Sequence, residues 1–141
     1  GFYVELQPVN DNAVPSALAV TGLSLAELAR TGVPPEDALL RFEAWLDDVV
    51  PAEHHPVFVA FNAPFDWMFV NDYFHRYLAR NPFGHSALDI KAFYMGQTDV
   101  SWAQTSMKYL NDRYLGGRQL AHHALRDAQD QAELFAQIRG I

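Results

Sequence analysis

Near its C-terminal end the chain carries His122-His123-Ala124-Leu125-Arg126-Asp127-Ala128, and roughly sixty residues earlier stands Phe61-Asn62-Ala63-Pro64-Phe65-Asp66. These residue types suit one kind of chemistry. Carboxylates are hard oxygen ligands for a divalent cation such as magnesium or manganese, and a histidine that titrates near neutrality can take a proton from water. The first run puts a histidine five residues before an aspartate inside an apolar-periodic segment, and the second puts an aspartate just past an apolar strand. Each part also has a plainer reading. An aspartate between a strand and an apolar helical run fits a helix N-cap, and an isolated His-x5-Asp spacing carries little weight. Asn62-Ala63-x-Phe65-Asp66 together with His122, Ala124, Asp127 and Ala128 on a terminal helix shifts the balance toward chemistry. His123 misses the spacing and reads as incidental. His54-His55 has the look of a metal pair, but adjacent side chains on a short connection diverge and no third ligand sits at a helical offset.

The elements that must hold these residues alternate between strand and helix, the pattern of a layered α/β domain. Phe2 to Leu6 alternates as a strand, and Val57-Phe58-Val59-Ala60-Phe61 is a continuous apolar run suited to a central strand covered on both faces. Asp66 follows it directly. Ser24 and Glu27 make a capping box for a short helix closed by Gly32. Pro34-Pro35 opens another, with Leu39, Phe42, Leu46 and Val49 on its buried face. A helix runs from Trp67 to Arg80, where Asn81-Pro82-Phe83-Gly84 stops it. A shorter segment spans Ala87 to Met95, and Thr105 to Tyr114 is helical up to Gly116-Gly117. The last helix starts near His123, with Leu125, Ala128, Ala132, Phe135 and Ile138 as its buried stripe and Asp127 on a neighbouring face.

The two runs resemble the second and third motifs of the DEDDh 3′ to 5′ exonucleases, the family of proofreading subunits, ribonuclease T and oligoribonuclease, and the resemblance covers nearly all of the chain. It implies a ribonuclease-H-like three-layer α/β/α fold with a mixed five-stranded sheet. It also implies hydrolysis of phosphodiester bonds from the 3′ end of single-stranded RNA or DNA, with release of nucleoside monophosphates. Two magnesium or manganese ions roughly 3.5 to 4 Å apart would stabilise the attacking and leaving oxygens. By resemblance the catalytic set is His122 as general base, Asp127 as a metal ligand and Asp66 as the second-motif carboxylate of the metal shell. Asn62 binds the terminal nucleotide or pins its loop. Phe65 and Phe83 are candidate base platforms, stacking on an aromatic being worth roughly 1 to 3 kcal/mol per base; core or hinge packing would explain them equally well. The turn Asn81-Pro82-Phe83 with Gly96-Gln97-Thr98 is similar to ribonuclease T, while family members often have histidine where Phe61 stands.

The first motif of that family, Asp-x-Glu on the opening strand, does not occur in this sequence. The chain opens on Gly1 and goes straight into a strand that matches the third of the family. The expectation is therefore one exonuclease domain over residues 1–141, N-terminally incomplete, with the first two strands and their carboxylates missing. The intact protein is expected to be an enzyme and the 141-residue stretch alone an inactive one. A reading from another class is a catalytically inactive exonuclease-like module that binds nucleic acid or a partner protein; retention of Asp66, His122 and Asp127 speaks against it. Homodimerisation is implied by analogy with the ribonuclease T and oligoribonuclease branches alone.

Composition sets the outer bounds. Half of 141 residues are hydrophobic, enough for one compact core. No apolar stretch approaches the roughly 18 residues of a membrane helix, so no membrane partner is expected. The chain has no cysteine, which excludes disulfides and thiolate metal sites, and the cytosol is the default compartment. A net charge of −7 counts against a polyanion partner. Its distribution is uneven: residues 1–60 set Arg30 and Arg41 against nine acids, whereas residues 61–141 balance eight basic with eight acidic residues. Arg76, Arg80, Lys91, Lys108, Arg113, Arg118 and Arg126 could face a phosphate backbone or serve as ordinary solvated helix charges.

Overall fold

A computed structural model describes residues 1–119 and 123–140. The described chain is mixed α/β and mostly helical, with a small two-stranded parallel sheet. The helices are α1 (Pro15–Thr21), α2 (Leu25–Thr31), α3 (Pro35–Val49), α4 (Ala63–Leu78), α5 (Ile90–Thr98), α6 (Met107–Tyr114) and α7 (Ala124–Arg139), with a 3-10 turn at Trp102–Thr105. The strands are β1 (Phe58–Ala60) and β2 (Ala87–Asp89). No helix among the described residues is long and apolar enough to cross a membrane.

The chain divides into two compact units. Gly1–Pro56 and Asp72–Pro82 form the first. Its opening segment, expected as a strand over Phe2 to Leu6, instead makes one isolated parallel bridge among the described residues, between Leu6 and Val33. Val33 N donates to Glu5 O at 2.8 Å, and Gln7 N donates to Val33 O at 2.9 Å. The alternation that suggests a strand is real, since Phe2, Val4 and Leu6 are half-buried while Tyr3 and Glu5 are exposed. It serves ring packing rather than a ladder: Phe2 stacks on Phe42 with centroids 5.2 Å apart, and Phe42 also meets Trp45 and Phe74 at 5.9 Å.

Gly32 ends α2 at the bridge, where a β-carbon would lie 2.5 Å from Leu28 O and 2.7 Å from Gln7 N. Backbone on both sides leaves room only for glycine. In α3, Ala38, Leu39 and Leu46 are buried as its periodicity requires, but Val49 is exposed. Ten residues beyond Leu39, Val49 has turned about 80° off the stripe at 3.6 residues per turn. Arg80 Nε donates to Glu43 Oε1 at 2.8 Å, and its Nη2 reaches the other carboxylate oxygen. That pair holds the Glu43 carboxyl below its usual range.

Val57–Asn71 and the chain from Phe83 onward form the second unit. β1 pairs with β2 in register, Phe58 with Ala87, Val59 with Leu88 and Ala60 with Asp89. Parallel strands need a crossover between them, which α4 supplies in sequence. The expected five-residue central strand is three residues long, and Val57 is 65% exposed. β2 is its sole strand neighbour among the described residues, so the run is not covered as a central strand would be.

The core of this unit is Ile90, Tyr94, Leu110, Leu115, Leu134 and Ile138. The buried face of α7 therefore differs from the expected stripe. Leu134 and Ile138 are buried, Leu125 and Phe135 are half-buried, and Ala128 and Ala132 are exposed. Asp127, Gln131, Leu134 and Ile138 recur at helical spacing on one face, so Asp127 belongs to the packed face rather than to a neighbouring one. Alanine spacing imitates a stripe, but the larger side chains decide which face is buried.

Candidate functional site

β1 ends at Ala60, and the chain must turn at once into α4. Asn62 makes that turn in the left-handed region, at φ +63°, a conformation that asparagine tolerates better than most side chains. Its carbonyl accepts from Phe65 N at 3.0 Å. Because α4 already begins at Ala63, Asp66 lies inside its first turn, not ahead of it. It is therefore not the N-cap, and the plainer reading of this aspartate does not hold. The helix expected to start at Trp67 starts four residues earlier.

Two side chains from distant elements fix this turn. Gln131 Oε1 on α7 accepts from Phe61 N at 2.9 Å. Asp89, the N-cap of α5, accepts from Ala63 N through Oδ2 and from Ala92 N through Oδ1, both at 2.7 Å. Sequence reasoning singles out neither residue. Asp89 has a signal available, an aspartate between a short apolar run and a helix; Gln131 has none, since its partner lies 70 residues away.

Asp66 and Asp127 line one cavity of about 560 Å³ in the second unit, together with Gln131 and an apolar wall that includes Phe58, Val70, Ile90 and Phe135. Burial holds the Asp66 carboxyl above the ordinary carboxylate range, against a smaller opposing pull from its own backbone N–H. Asp127 Oδ1 is buried and accepts no hydrogen bond among the described residues. A buried acceptor without a donor is costly. A desolvated carboxylate and an orphaned carboxylate oxygen lining one cavity are oxygen ligands of the kind that a hard divalent cation would take. No cluster of three or more His, Asp or Glu side chains suited to a metal occurs among the described residues. The expected general base, His122, lies outside them. His123 is exposed and is the N-cap residue of α7, without a side-chain capping bond.

The candidate base platforms differ from each other. Phe65 is 58% exposed and sets its ring edge against Phe69 at 5.4 Å. Phe83 is half-buried, packed edge-on to Phe58 at 5.4 Å. Asn62 is exposed. Of the cations that could face phosphates, Arg76 pairs with Asp72, Arg80 with Glu43, and Arg118 with both Asp130 and Glu133. Lys91 Nζ sits 4.1 Å from the Trp102 ring centroid and 5.8 Å from that of Phe61.

No family model matches the sequence. Over 137 residues the chain is 44% identical to the 3′-5′ DNA exonuclease Cap18 of Escherichia coli, an alignment that spans 97% of this chain and 73% of that protein.

Proposed function

We propose, because the chain belongs to the family of the 3′-5′ DNA exonuclease Cap18, that the intact protein removes nucleoside monophosphates from the 3′ end of single-stranded DNA as a DEDDh-type hydrolase with a ribonuclease-H-like fold. Residues 1–141 are taken as one exonuclease domain, acting in the cytoplasm. The observation that carries the mechanism is the shared cavity of Asp66 and Asp127, reached from α4 and α7 respectively. DNA is preferred to RNA because the relative is named for DNA. Homodimerisation remains a proposal by family analogy alone.

Asp66 and Asp127 would hold magnesium or manganese, whose bound ions supply charge stabilisation at the attacking and leaving oxygens of an in-line displacement. The rest falls to the chain itself. The apolar wall around the two carboxylates lowers the local dielectric and so strengthens their hold on a cation. Asp127 Oδ1 has no competing hydrogen bond to surrender among the described residues. His122, five residues ahead of Asp127 in the sequence, is assigned the proton from the attacking water. Phe65 offers an exposed ring for a base near the 3′ end, Asn62 a polar side chain beside it, and Phe83 a second ring on the Phe58 side.

The test is a 5′-labelled single-stranded DNA incubated with the full-length protein and magnesium or manganese. A ladder shortening from the 3′ end is expected. Asp127→Ala should slow it by at least the roughly 10²–10³ that one transition-state-stabilising group is worth, and His122→Ala by about 10²–10⁴ as the loss of a general base. Unchanged rates in both variants would overturn the assignment. Binding of the strand without shortening by the wild-type protein would favour the non-catalytic module instead.

A further inference from the structure

The geometry points to Gln131 as a positioning residue that sets Asp66 against Asp127 by clamping the Phe61–Asn62 turn to α7. It rests on the reading of those two aspartates as the metal-holding pair. Gln131 follows Asp127 by four residues on the same helix face, and both line the cavity. That face is anchored one and two turns further on by Leu134, fully buried, and Ile138 in the core of the second unit. The Gln131 side chain therefore projects from α7 one turn ahead of its buried anchor. Its Oε1 takes the Phe61 N–H at 2.9 Å, at the point where β1 has ended and α4 has not begun.

Asn62 stands next in a left-handed conformation, one that persists when its surroundings over-determine it. Here they do so from both sides, with Phe61 N held by Gln131 and Ala63 N held by Asp89. Asp66 lies three residues beyond Ala63, in the turn whose start these bonds fix. The choice of side chain also fits. A glutamine offers a carbonyl acceptor without charge.

The experiment is manganese binding by titration calorimetry on the full-length protein, with amide hydrogen exchange at Phe61 measured alongside. Gln131→Met keeps the length of the side chain and removes the acceptor. It should weaken manganese binding about 10- to 100-fold, the usual effect of losing a partner that orients a ligand, and speed exchange at Phe61. Gln131→Glu keeps an acceptor and should recover slow exchange and most of the affinity. Wild-type affinity in Gln131→Met overturns the clamp, and so does equal weakness in both variants. Asp127→Asn separates the two levels: if the wild type binds no manganese, or Asp127→Asn binds it as the wild type does, the metal reading falls and the clamp with it. If Asp127→Asn loses binding while Gln131→Met does not, only the clamp falls.

Discussion

Asp66 carries a cost in the folded protein that its position in the cavity makes unavoidable. Burial raises its pKa above the unfolded value, so the folded state binds the proton more tightly than the unfolded chain does. Stability from this group is then greatest below the unfolded carboxylate pKa and is lost as pH rises through the folded one. Asp66→Asn, which cannot ionise, should therefore be more stable than the wild type at neutral pH in the presence of a chelator. The gap should close as pH falls toward about 4. Thermal melts of both proteins across that range check it, and a gap that does not vary with pH would show that Asp66 is not penalised by burial. Asp66 differs in this from Glu43, whose pKa is lowered by its hydrogen bond from Arg80.

At the scale of elements, Gly32 is the most closely surrounded of the glycines described. A methyl group there meets Leu28 O, Gln7 N and Leu6 C, all backbone. Gly32→Ala should cost about 1–3 kcal/mol, the range for overpacking a closed site, seen as a lower urea midpoint with an unchanged slope. A midpoint within error of the wild type would mean that the bridge between Leu6 and Val33 yields. Helix ends marked by glycine and proline are legible in the sequence, as at Pro35, Gly32 and Gly116. Strand extent is not, because Phe2 to Leu6 and Val57 to Phe61 have apolar patterns that ring packing satisfies as well as a ladder does. The buried face of α7 escapes the pattern for a similar reason: small alanines mimic a stripe, while Leu134 and Ile138 fill the core. The pairing of Asp66 with Asp127 is legible as motif, but the bonds from Gln131 and Asp89 that hold their turn depend on contacts across 70 and 26 residues, which no local pattern encodes.

For the molecule as a whole, the net charge is −7, and Arg76, Arg80 and Arg118 are each engaged with carboxylates. Single-strand binding should then depend weakly on salt. With about two phosphates neutralised, affinity measured on Asp127→Ala should fall by less than roughly tenfold between about 50 and 200 mM salt. A fall of about a hundredfold or more would mean that these ion pairs open to receive the strand.

The shared face of Asp127, Gln131, Leu134 and Ile138 constrains how this protein can diverge. One inserted or deleted residue between Asp127 and Leu134 would rotate everything on one side of it by about 100°, parting the carboxylate from the core that fixes it. Over that stretch of α7, descendants of this chain can change their letters but not their count.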